Sequence, residues 1–123
     1  MNDRFRLRLY NKSSNEMYKV HSLHIGTDNA IISCKYGNKS ISLKDCVLMQ
    51  CTGLKDKNGT LIYERDIIKI GKCTYEVKYN PEGYWQVGDF LLSIFNTEKV
   101  FEVIGNIYEN PELLKGENNE RQI

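Results

Sequence analysis

The sequence predicts a mainly β protein, a small antiparallel domain closed as a barrel or roll, and three observations carry that expectation. Apolar residues alternate with polar ones in "RFRLRLY" and "CTYEVKY", where helices would need a period of about 3.6. Tyr, Ile and Val are abundant and there are only two prolines, so little interrupts strand pairing. Clusters of Asn, Gly and Ser punctuate the chain at short intervals. The 123 residues suffice for one modest domain, or two very small β units sharing a core, that buries about two thirds of its unfolded surface.

The elements follow in order. "RFRLRLY" places Phe5, Leu7 and Leu9 on one face and Arg4, Arg6 and Arg8 on the other, and "NKSSN" supplies a turn. A second strand runs near Met17 to Ile25. After "GTDNA" the strand "AIISCKY" is linked to "KSISL" by a hairpin at Gly37 and Asn38, and "DCVLMQC" fits a buried strand. From about Thr52 come "DIIKI", "CTYEVKY", a turn at "NPEG", "YWQVG" and "KVFEVIGNIY". "DFLLSIF" fits a strand or a loop, because a short apolar run has no diagnostic period. "NPELL" predicts one helical turn, capped by Asn110 with Pro111 at its first position, and the polar "GENNERQI" is expected to fray. The organisation is a meander over 1–51, a barrel or roll over 52–110, and a helical turn with a tail over 111–123, packed as one globular unit.

Lys and Arg total 17 against 16 Asp and Glu, so the net charge of +1 supplies no global field toward nucleic acid or an anionic membrane. No apolar run has the length of a membrane span, and the alternating start lacks the continuous apolar core of a signal peptide, so a cytoplasmic protein is expected. In that reducing compartment Cys34, Cys46, Cys51 and Cys73 are expected to be small apolar fillers on strands rather than disulfides.

The stretch "TGLKDKNGTLIYERDI" looks like a phosphate or calcium loop. A Walker-type loop needs four residues between its glycines and then a lysine; here five separate Gly53 from Gly59, and Thr60 stands in the lysine's place. An EF-hand registered on Gly59 places Asp56 and Asn58 usefully, yet Leu54 opens the loop and Arg65 replaces its final glutamate. What remains is a hairpin with Asn58-Gly59 in a type I′ turn.

"VLMQCTGLKDKNGTLIYERDIIKI" resembles the signature of the YopX-like family of phage and prophage proteins, and "FEVIGNIYENPELL" is similar to that family's C-terminal segment. "RFRLRLYNKSSNEMYKV" resembles its opening strand, with Tyr10 and Asn11 where a Trp-Asp pair is common. Arg65 replaces a usual glycine, which questions any special backbone geometry there. The resemblance implies a mainly β protein with an SH3-type barrel or roll in its C-terminal half, encoded by a phage or prophage, and it transfers no catalytic residue.

Candidate chemistry stands beside simpler readings. Arg4, Arg6 and Arg8, about 7 Å apart on one strand face, match phosphate spacing, but charge on a solvated edge strand also prevents edge pairing. Asp3 and Asp45 carry charge that neutralises part of that stripe. Tyr84, Trp85, Tyr75 and Tyr79 can form a platform for bases or a proline-rich peptide, although alternation turns Trp85 with Val87, and Tyr75 and Tyr79 with Val77, toward the core. Tyr84 is then the exposed member. His21, His24 and Cys34 lack a C-x-x-C partner and straddle two strand faces, so no metal or cofactor is expected. Glu64 and Asp66 share a strand face, as ordinary charged edges do. No nucleophile has a base in evident reach, and no enzymatic activity is expected.

Two functions fit: an interaction module binding a phage or host protein, or a nucleic-acid-binding module using Arg4, Arg6, Arg8 and Tyr84. Pairing of the "RFRLRLY" edge with its copy in a second chain makes a homo-oligomer a further expectation.

Overall fold

The computed structural model describes residues 6–114. It is a mainly β architecture of antiparallel strands, and by its contacts the chain divides into two units, Met1–Cys51 and Thr52–Ile123.

The first unit contains β1 (Leu7–Asn11), β2 (Glu16–Val20), β3 (Ser22–Ile25), β4 (Asn29–Cys34) and β5 (Gly37–Ser42), followed by a 3₁₀ turn at Leu43–Asp45. Strand β6 (Cys46–Lys55) then carries the chain into the second unit. β1 lies between β2 and β6, with Leu9 opposite Tyr18 on one side and Leu48 on the other. The expected free edge at "RFRLRLY" is therefore corrected: from Leu7 onward both sides of β1 are hydrogen-bonded, and it offers nothing to a second copy. The single expected strand from Met17 to Ile25 is broken at His21 into β2 and β3, which join different sheets. β3, β4 and β5 form a three-stranded sheet, and Ile32 and Ile41 from it pack with Leu9, with Tyr18, Val20 and Leu23 closing the cluster. The hairpin between β4 and β5 turns at Lys35 and Tyr36, two residues earlier than expected. Cys34 pairs with Gly37, whose φ of +100° belongs after a turn and not within it.

In the second unit β7 (Leu61–Tyr63) adjoins β6, and β8 (Asp66–Ile70), β9 (Cys73–Asn80), β10 (Tyr84–Val87) and β11 (Phe90–Leu91) form a meander. A 3₁₀ turn at Leu92–Ile94 and the short helix α1 (Thr97–Val100) lead to β12 (Glu102–Asn106), which returns to pair with β8. The sheet order β11-β10-β9-β8-β12 curls into a half-barrel, consistent with an SH3-type roll. Its core is Ile62, Ile68, Val77, Val87, Leu92 and Phe101, each at most 1 % exposed. Each such side chain contributes about 1.5–3 kcal/mol relative to leaving it in water. The ambiguous "DFLLSIF" is strand for two residues and 3₁₀ for three, because Leu92 is drawn into the core while Ile94 is left out. The expected turn at "NPELL" is present, with residues 112–114 helical. The Asn110 side chain, however, reaches back to accept from the Asn106 amide at 3.3 Å. The expected fraying of "GENNERQI" lies outside the described residues.

Candidate interaction surfaces

The motif-bearing loop after β6 is built around one buried acid. Asp56 is 2 % exposed. Its Oδ1 accepts from the amides of Asn58 (2.9 Å) and Thr60 (2.8 Å), and its Oδ2 from the amide of Val103 in β12 (2.8 Å). Three amide donors satisfy the carboxylate and bind the hairpin to the last strand. Lys57 donates its amide to the Phe101 carbonyl at 3.0 Å, and the Thr97 hydroxyl donates to the Lys55 carbonyl at 2.8 Å. The hairpin is as expected, but the type I′ assignment is corrected. Only Gly59 has positive φ (+82°), because the Asp56 side chain holds Asn58 in an Asx turn and the glycine follows it.

The next turn joins β7 to β8. Arg65 adopts φ +72°, so the left-handed geometry persists without the glycine. Its amide donates to the Val77 carbonyl (2.8 Å) and its carbonyl accepts from Ile107 (3.0 Å), and these bonds force the conformation. Its guanidinium lies 2.8 Å from Glu76, whose carboxylate raises the already high pKa of Arg65. Glu64 and Asp66 do not form a pair on a strand face. Glu64 sits in the turn, while Asp66, 1 % exposed, accepts from the Tyr63 amide at 2.8 Å.

The arginine stripe is not presented evenly. Arg4 lies outside the described residues, Arg6 is exposed, and Arg8 is half-buried with its Nε shielded from solvent. Across the strand, Arg8 pairs directly with Lys19. Val77 and Val87 do face the core, and the aromatic residues Trp85 and Tyr75 are packed against it. The exposed member is Tyr79, 49 % in solvent and edge-on to Trp85 at 4.9 Å between centroids, whereas Tyr84 is half-buried. Tyr79 comes last on its face of β9, beyond the core that covers Val77, and alternation along a strand does not show where that cover ends. His21 sits at the bend after β2 and His24 on β3, both exposed, while buried Cys34 donates its thiol hydrogen to the Gly37 carbonyl at 3.2 Å. Among the described residues no group of three metal-ligating side chains is assembled. Each cysteine lies on a strand, and burial pushes the Cys46 thiol pKa up.

Two grooves not evident in the sequence contain the two most exposed large apolar or aromatic side chains among the described residues, Tyr36 and Ile94. In the second unit an apolar groove of about 300 Å³ is lined by Ile70, Tyr75, Val87, Phe90, Ile94 and Phe95. Phe90 is 51 % and Ile94 64 % exposed on its rim, and β11 beside it is the edge of its sheet. The only hint in the sequence is that "DFLLSIF" holds more apolar residues than one strand face can bury. In the first unit an open groove of about 260 Å³ runs along edge strand β2 beside the β4–β5 hairpin tip, lined by Met17, Tyr18, Lys19, Cys34, Lys35 and Tyr36. Tyr36 is 77 % exposed, with the Lys35 ammonium 5.8 Å from its ring centroid. Glu16 beside it accepts from the Tyr18 hydroxyl at 2.7 Å, a bond that holds its carboxyl below the usual range.

The family model described as YopX protein matches residues 6–115. Two crystal structures are similar over most of their length. Protein EF1440 from Enterococcus faecalis is 27 % identical with a TM-score of 0.63, the match covering 89 % of this chain and 97 % of that one. Protein yopX from Bacillus subtilis is 25 % identical with a TM-score of 0.64, covering 94 % and 100 %. No curated protein matches the chain. No helix among the described residues is long and apolar enough to cross a membrane.

Proposed function

The chain belongs to the YopX family, and on that premise we propose that it is a non-catalytic interaction module, binding a protein of a phage or of its bacterial host in the cytoplasm. One observation carries this reading: the apolar groove of the second unit, whose rim leaves Phe90 and Ile94 half or more in water beside an unpaired strand edge. Apolar surface gathered in one place is what a docking site requires. The occupant it fits is an extended segment of the partner with a large apolar side chain. That side chain enters the groove while the segment's backbone bonds to β11. Two residues of edge supply few such bonds, so the anchor side chain sets the affinity.

The test is a display selection of random extended peptides against the whole protein, followed by titration monitored through backbone amide resonances. Enriched peptides are expected to share an aromatic or branched anchor and to shift the amides of Phe90 to Phe95. Ile94→Lys, at an exposed position, is expected to weaken them about tenfold or more without unfolding the protein. Failure to enrich any peptide, or binding indifferent to Ile94→Lys, overturns the reading.

A further inference from the structure

We propose that the groove along β2 in the first unit is a binding site for single-stranded nucleic acid, with Tyr36 as the stacking platform and Lys19 and Lys35 as phosphate contacts. The proposal is independent of the apolar groove and relocates any nucleic-acid surface away from the arginine stripe.

The chemistry of the groove points to this ligand from three sides. Tyr36 is the most exposed of the large apolar and aromatic side chains, on a hairpin tip where no core packing explains it. A solvent-exposed aromatic ring on a two-residue turn, with the Lys35 ammonium 5.8 Å from its centroid, offers a face to a base, and every base has a complementary π-face. Both charged side chains lining the groove are cationic, Lys19 from β2 and Lys35 from the turn. Positive charge continues beyond it in Lys39, which is close enough to act on Glu16. Glu16, the acid beside the groove, has its carboxylate engaged by the Tyr18 hydroxyl.

The remaining lining is suited to the flat part of a nucleotide. Met17 and Tyr18 are half-buried and Cys34 is buried, so the floor is apolar or aromatic between cationic rims. β2 is the outer strand of its sheet, and its outward backbone groups are available to base edges. A groove of about 260 Å³ admits an unstacked base, whereas a duplex keeps its bases stacked and paired out of reach. An acidic peptide without aromatic side chains meets the charge but supplies no π-face to stack on the exposed ring.

The experiment is fluorescence anisotropy of the intact protein with a labelled oligothymidylate, a single-stranded RNA, a duplex of the same length and polyglutamate, at several salt concentrations. Single strands are expected to bind more tightly than duplex or polyglutamate, weakening steeply with salt. Tyr36→Ala is expected to reduce the affinity about tenfold or more, and Tyr36→Phe to restore it. Lys19→Ser with Lys35→Ser is expected to lower the logarithmic salt slope by about 1.4, the release from two phosphates. Arg6→Ser is expected to leave both values unchanged. Circular dichroism checks that each variant is folded. Absence of single-strand binding at low salt overturns the proposal. So does binding that survives Tyr36→Ala with an unchanged salt slope, or polyglutamate binding as tightly as the oligonucleotides.

Discussion

Replacing Asp56 by alanine removes the acceptor of three amide N–H groups, one of them 47 residues away in the chain. Bonds to a charged acceptor contribute more than neutral ones, and the buried amides left behind cost their desolvation. Asp56→Ala is expected to lower unfolding stability by about 3 kcal/mol or more in urea titrations. Asp56→Asn keeps one acceptor oxygen but turns an amide group toward the donors, and is expected to cost less than the alanine change. Arg65 behaves differently, because its positive φ is a strain glycine does not share. Arg65→Gly relieves about 1 kcal/mol of left-handed strain and gives up a partly exposed ion pair of smaller worth, so stability is expected to hold or rise slightly. Arg65→Ala keeps the strain and loses the pair, and is expected to be the less stable variant. Denaturant midpoints of the two variants separate these outcomes.

At the scale of elements, three hairpins share one geometry: a turn whose fourth residue is a glycine with positive φ. Cys34 to Gly37, Asp56 to Gly59 and Asn80 to Gly83 all follow it, the last two closed by a hydrogen bond that the glycine N–H donates to the first residue's carbonyl. This explains what the sequence made legible and what it concealed. The strands "DIIKI", "CTYEVKY" and "YWQV" were legible nearly to the residue, and each supplies a side chain to the core of the second unit, Ile68, Val77 and Val87. Asn-Gly and Gly-Asn, read as the centres of turns, misplaced or mistyped two hairpins, because the glycine serves the residue after the turn. Tyr36 looked like strand for the same reason, and the groove it borders was invisible until the turn moved. Sequence likewise could not show that β1 lies inside its sheet, since edge position is set by long-range pairing and not by local pattern. The geometry can be checked by alanine substitution. A Cβ at Gly59 meets nothing within 4 Å, so Gly59→Ala is expected to cost only backbone strain, about 1–2 kcal/mol. A Cβ at Gly88 comes 2.8 Å from the Tyr75 ring, so Gly88→Ala carries a steric term besides and is expected to be clearly worse, as thermal midpoints can measure.

For the whole molecule, a net charge of +1 and an isoelectric point of about 7.6 leave little electrostatic repulsion between copies at neutral pH. Solubility is expected to pass through a minimum near that pH and to rise on either side, which light scattering against pH checks. Both proposed surfaces lie in units with their own buried clusters, so Ile94→Lys is expected to leave oligonucleotide binding intact, and Tyr36→Ala peptide binding. The third amide held by Asp56 has a further consequence, for synthesis on the ribosome. That amide belongs to Val103, so the loop carrying the buried acid is translated long before the strand that completes its coordination. Until Val103 has left the ribosome, the carboxylate keeps only the two donors of its own loop, Asn58 and Thr60, and the hairpin is not tied to the last strand. A nascent chain stalled before Val103 should thus remain more sensitive to protease over 52–102 than one stalled after β12 has emerged, making synthesis of β12 the event that commits the second unit to its fold.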